Sequence, residues 1–161
     1  MINLIDTASR WLARGSVAVS VAMFAATLLA LTLQVVARYV FNAPPTWTEE
    51  LSLALFTWIV LLMGSAGVRE GFHVCLDIWP ATLAAPAQAA LHRLVQLITL
   101  AIGIVLLKSG WSYVADTQGQ VSAAISYPIE ALHSAAPVCG GLISIHAIAM
   151  LLQPSNRPPQ P

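Results

Sequence analysis

Four long apolar stretches divide the chain, at about 15–37, 51–68, 94–113 and 132–152. Within each, apolar residues run on instead of alternating with polar ones, which argues against half-buried strands. Each stretch is close to the ~20 residues that an α-helix needs to cross ~30 Å of hydrocarbon. Only helices and closed barrels satisfy every backbone group in lipid. The pattern therefore predicts an all-α membrane protein with four transmembrane helices. The first stretch exceeds the roughly 7–15 apolar residues of a signal peptide, and Val35-Val36-Ala37 is not a cleavage pattern, so it reads as an uncleaved span.

The polar positions between the spans set an orientation. Arg10 and Arg14 precede the first span, Arg69 and Arg93 flank the loop between the second and third, and Arg157 follows the fourth. Arg38 and Lys108 lie toward the opposite side. The positive-inside rule then places both termini in the cytoplasm. Residues 1–14 read as a separate interfacial helix, with Ile2, Ile5, Trp11 and Leu12 apolar and Asp6 paired to Arg10 at i,i+4. A short surface helix is expected over 84–93, and a disordered tail over 153–161.

Composition sharpens the class. The 161 residues are 58% hydrophobic and only 9% charged, with mean hydropathy +0.77. A soluble domain carries roughly 25% charged residues, so this chain lacks the polar surface to cover a soluble globule. Seven Lys+Arg balance seven Asp+Glu, so no basic face for nucleic acid is indicated.

The most informative block joins the first two spans: Arg38-Tyr39-Val40-Phe41-Asn42-Ala43-Pro44-Pro45-Thr46-Trp47-Thr48-Glu49-Glu50. The two prolines stop the first helix. Thr46 is a good N-cap for the second, with Glu49 completing a capping box. Glu49 and Glu50 also fall in the first turn, where the helix dipole favours negative charge. Alternatively, one of these glutamates pairs with Arg38 or faces a partner, and Trp47 belongs to the same surface.

The second informative block is Arg69-Glu70-Gly71-Phe72-His73-Val74-Cys75-Leu76-Asp77-Ile78-Trp79-Pro80. Its apolar residues alternate, which suits an extended segment along the interface. Arg69, His73 and Asp77 are its candidate structural or partner-facing residues. Gly64-Ser65-Ala66-Gly67 would let a second helix approach closely. Lys108, near Trp111 and Tyr113, reads as a lysine snorkelling at the outer end of the third span. Substituting Arg38 or Glu50 is therefore expected to weaken assembly more than substituting Lys108. Pro137 and Gly140-Gly141 indicate a kink or a close helix contact.

Catalytic chemistry is absent from the pattern. No nucleophile–base pair, metal-ligand cluster or phosphate-cradling loop is visible, so neither enzymatic activity nor a metal or cofactor is expected. No acidic residue falls inside the expected spans, whereas a self-sufficient ion-coupled transporter needs polar groups near the midplane. Cys75 and Cys139 fall on opposite sides and read as inert thiols. His73, His92, His133 and His146 leave open a haem-bearing membrane anchor of a redox enzyme, although their expected depths do not match. A small exporter that dimerises through Gly64 and Gly67 is the other alternative.

One resemblance covers nearly the whole chain. Gln34-Val35-Val36-Ala37-Arg38-Tyr39-Val40-Phe41-Asn42, Trp47-Thr48-Glu49-Glu50-Leu51, Phe56-Thr57-Trp58, Gly64, Arg69-Glu70-Gly71-Phe72-His73-Val74 and Asp77 occur in an order that resembles the small membrane subunit (DctQ-like) of TRAP transporters. Ser122, Pro128 and Pro137-Val138-Cys139-Gly140 fit more loosely. The resemblance implies a tripartite, sodium-driven importer of organic acid anions in the bacterial inner membrane. A periplasmic substrate-binding protein captures the anion, and a large multi-span subunit carries it. The small subunit is the static scaffold of that large subunit.

Overall fold

The structure, a computed structural model, describes residues 2–70 and 85–152. It contains α1 (Ile2–Val40), α2 (Trp47–Glu70), α3 (Ala85–Asp116), α4 (Ile129–His133) and α5 (Ala135–Leu151). Ser134 between α4 and α5 keeps helical angles, so the two form one span of 23 residues, Ile129–Leu151. Four helices are thus long and apolar enough to cross a membrane. The chain is an all-α, multi-pass membrane protein.

Two helices are longer than their apolar cores. The helix expected over 1–14 and the first span form a single helix of 39 residues, without a break at Gly15. One glycine costs a helix only about 1 kcal/mol against alanine, too little to interrupt residues that otherwise favour helix. The surface helix expected over 84–93 is likewise continuous with α3, because Pro86 sits in the first turn, where proline is tolerated. At the other end of α1, Asn42 adopts φ 53° and Ala43 N–H reaches back to Ala37 O at 3.2 Å. Asparagine accepts that left-handed conformation at low cost, and Pro44-Pro45 then bars continuation. His73, Cys75, Asp77 and the 153–161 tail lie outside the described residues.

The helices pack around α5, which touches α1, α2 and α3, while α1 lies along α2. What they bury is small or polar. The buried positions of α1 include Asp6, Ser9, Ala13, Ser16, Ser20 and Gln34, spaced so that they form one stripe. On α5 the buried set includes Ala135, Cys139, Gly140, Ser144 and Ala147. The large apolar side chains, such as Phe24, Leu29, Phe56 and Val105, point outward. This inverts a soluble bundle. Lipid tails are as apolar as leucine, so burial of leucine between helices gains little, and close packing of small residues holds the helices together.

Three glycines show how close that packing is. A Cβ on Gly140 would run into Leu107 N and lie 2.7 Å from Gly103 O. One on Gly110 would lie 2.7 Å from Pro137 Cδ, and one on Gly103 2.7 Å from Ser144 Oγ. The Pro137–Gly140 region is therefore a close contact with α3. The same seam fixes relative depth: Leu107 is level with Gly140, and Cys139 Sγ donates to Leu61 O at 3.1 Å. Lys108 is thus level with Leu61, and α3 continues eight residues, about 12 Å, past it to Asp116. It does not sit at the helix end, as its neighbours Trp111 and Tyr113 had indicated.

Gly140→Val should drive α3 from α5, at a cost of about 1–3 kcal/mol or more. Gly15→Ala meets nothing within 4 Å and should be neutral or slightly stabilising. Thermal unfolding of the detergent-solubilised protein checks both.

Candidate functional site: polar clamps at the two ends of the bundle

At one end, the first turn of α2 organises its surroundings. Thr48 is fully buried, and its hydroxyl donates to Pro45 O at 2.8 Å. Thr46 makes no side-chain hydrogen bond among the described residues, so the expected capping box is not closed. Glu49 Oε1 instead accepts from Gln34 Nε2 at 3.2 Å, tying α2 to α1. Glu50 Oε2 accepts the backbone N–H groups of Ala124 and Ile125 at 2.8 and 2.9 Å. Glu50 thereby holds the loop that joins α3 to α4. That loop is closed on itself by the Val121–Pro128 bridge and by Gly119 N–H donating to Glu130 Oε1 at 2.7 Å. Burial, reinforced by the Glu50 carboxylate, raises the Tyr127 phenol above its ordinary pKa.

Arg38 is not the partner of either glutamate. It is exposed and forms no ion pair among the described residues. Gln34, level with Glu49, lies one turn earlier on α1, so Arg38 extends beyond the level at which α2 begins. Trp47, 41% exposed, starts α2 on the same rim. Arg38 and Trp47 face outward, whereas Glu49 and Glu50 are engaged within the chain.

The opposite end carries a second clamp. Arg69, at the last turn of α2, donates through Nη2 to Asp6 Oδ1, and Arg10 Nη2 lies 3.0 Å from Asp6 Oδ2. The Asp6 and Arg69 side chains are 7% and 12% exposed, so this is a largely desolvated pair. One turn along α1, Ser9 Oγ lies 2.7 Å from Nδ1 of the fully buried His146 of α5. Asp6, Ser9, Arg69 and His146 thus join three helices at one level.

The remaining histidines are spread along the bundle. His133 Nδ1 is 2.9 Å from Thr117 Oγ1 and its ring stacks on Tyr113, at the Glu50 end. His146 is thirteen residues further along α4 and α5, and His92 is exposed on α3. They do not face one another across a common cavity.

The Asp6–Arg69 pair was missed in the sequence because Asp6 reads as the surface partner of Arg10. Its signal was the small and polar stripe of α1, which begins at Asp6.

The model of one family, the DctQ component of tripartite ATP-independent periplasmic transporters, matches residues 27–157. This chain belongs to the DctQ family. The match runs from the middle of α1 through α5, so it includes the Glu50 clamp and Arg69. Among relatives of this DctQ-family chain, the C4-dicarboxylate TRAP transporter small permease protein DctQ of Vibrio cholerae is 37% identical over 95 residues, covering 56% of this chain and 39% of that protein. The sialic acid TRAP transporter small permease protein SiaQ of the same organism is 28% identical over 90 residues, 55% of this chain and 52% of that protein. The sialic acid TRAP transporter permease protein SiaT of Haemophilus influenzae is 28% identical over 110 residues, covering 68% of this chain but only 17% of SiaT. The matched stretches thus span about half or less of each relative.

Asp6→Ala leaves the Arg69 guanidinium buried without its counter-charge, and should cost about 3–5 kcal/mol. Arg10→Ala removes only the solvent-exposed member of its i,i+4 pair and leaves Asp6 bonded to Arg69, so it should cost less than about 1 kcal/mol. Thermal unfolding separates the two. Glu50→Ala should release the α3–α4 loop, read as faster hydrogen exchange at the Ala124 and Ile125 amides with little change at α5.

Proposed function

We propose that this chain is the scaffold subunit of a sodium-driven TRAP-type importer of organic acid anions, in a bacterial inner membrane. It pairs with a large multi-span transport subunit, which receives the anion from a periplasmic substrate-binding protein. Both termini are cytoplasmic, so the Arg69 clamp lies toward the cytoplasm and the Glu50 clamp toward the periplasm. The family match is the observation that carries this reading. A second support is the Haemophilus influenzae permease, in which a stretch related to this chain is a minor part of one much longer polypeptide.

The distribution of charge suits a scaffold. Between the two clamps, the interior of the described bundle is lined mainly by serine, threonine, alanine and glycine, with Leu62, Pro137 and Cys139 beside them. No carboxylate faces the interior there, so a coupling cation would find no charged ligand. The two clamps instead lock helices to one another. Glu49, Glu50 and Arg69 act as structural residues of the scaffold. Arg38 and Trp47, exposed on the periplasmic rim, face the partner proteins. His73 and Asp77 belong to the cytoplasmic segment that anchors the subunit at the interface.

Reconstitution tests this directly. Proteoliposomes holding this chain and its large subunit, supplied with the binding protein, should take up an organic acid anion under an inward sodium gradient. Liposomes with this chain alone should show no gradient-driven uptake. Uptake by the chain alone would overturn the scaffold reading.

A further inference from the structure

The outward face of α3 carries a charge that the chain itself does not answer. Gly103 and Gly110 mark the side of α3 that meets α5. At about 100° per residue, Lys108 lies about 140–160° around the helix from both. It is exposed, and among the described residues no carboxylate lies within ion-pair distance of it. Its depth makes that costly. Lys108 is level with Leu61, which is eight residues from Arg69 and eleven from Glu50 along α2, or about 12 and 17 Å. The two clamps stand about 30 Å apart, the thickness of a hydrocarbon core. Lys108 therefore projects from the bundle well inside that thickness, where an ionisable group is rare and is normally paired or turned to a protein interior.

The residues around it form a helix-packing pattern. Leu94, Leu97, Ala101, Val105, Lys108 and Ser112 are all exposed and recur at spacings of three and four. Those spacings place them along one face of α3, and where such a face meets another helix a single polar residue fixes register and partner. The small Ala101 and Ser112 allow close approach on either side of the charge. We infer that this face of α3 docks against a transmembrane helix of the large subunit, and that a carboxylate on that helix meets the Lys108 ammonium. The inference rests on the function proposed above. A second copy of this chain fits poorly, because two copies inserted the same way and packed symmetrically would set Lys108 against Lys108. Headgroup phosphate fits poorly too, since both membrane faces lie about a dozen ångströms or more away. This reverses the order of importance that the sequence indicated for Arg38 and Lys108.

The test uses the tagged full chain co-expressed with its large subunit. A photo-crosslinking residue at Val105, and separately at Leu97, should form covalent adducts with one helix of the large subunit, identified by mass spectrometry. Lys108→Glu should lower the large subunit retained in mild detergent at least tenfold, while Lys108→Arg retains it. Adducts to lipid or to a second copy of this chain, with normal retention by Lys108→Glu, would overturn the docking face and leave the proposed function standing. Failure of the unmodified chain to retain a large subunit would overturn both.

Discussion

Everything in this molecule depends on one constraint: a polar group placed in hydrocarbon must be answered by protein. Water is not available there to complete a hydrogen bond or solvate a charge. The chain meets most of it by turning polar residues inward, with Ser20 Oγ, Ser52 Oγ and His146 Nε2 left buried without a hydrogen-bond partner among the described residues. Thr27 donates to Met23 O and Ser144 to Gly140 O within their own helices, at 2.9 and 2.8 Å. Asp6 and Arg69, which cannot be satisfied within one helix, neutralise each other across two. The same constraint makes Lys108 conspicuous, since it is a charge turned the other way.

The small size of the buried residues follows from that arrangement. Helices that expose leucine and phenylalanine to lipid gain nothing by hiding them from one another, so contact is left to glycine, alanine and serine. Gly140 lets α5 approach the backbone of α3 at Leu107 and Gly103. The result is a firm bundle with its ion pairs at the Asp6 end and glutamate hydrogen bonds at the other. That rigidity suits the scaffold role proposed above.

The four spans were legible in the sequence because length and continuity of apolar residues suffice to identify them. Helix faces were harder to read. In lipid both faces of a helix are largely apolar, so the contrast that marks a soluble helix is weak. The stripe from Asp6 through Ser9, Ser16 and Ser20 to Gln34 carries the information, and it consists of size and polarity more than hydrophobicity. Contacts between distant helices were not legible at all. Depth alone made Arg38 a plausible partner for Glu49, but α1 extends a turn past the start of α2, and Gln34 takes that place. Arg69 read as an orientation signal, and nothing local tied it to Asp6, sixty-three positions away. Lys108 read as an end residue because α3 runs further than its apolar core.

The most direct test of the inward-facing polar stripe is a spin-label scan of α1. Single cysteines from Ala8 to Phe24 would be introduced into a chain carrying Cys75→Ser and Cys139→Ser, reconstituted in lipid, and labelled. Oxygen accessibility would then be read by electron paramagnetic resonance. If the stripe faces the bundle, minima fall at positions 9, 13, 16 and 20, and high values at 11, 12, 15 and 19. Minima at 11, 12, 15 and 19 would contradict it, because the large apolar face would then be the one packed against protein.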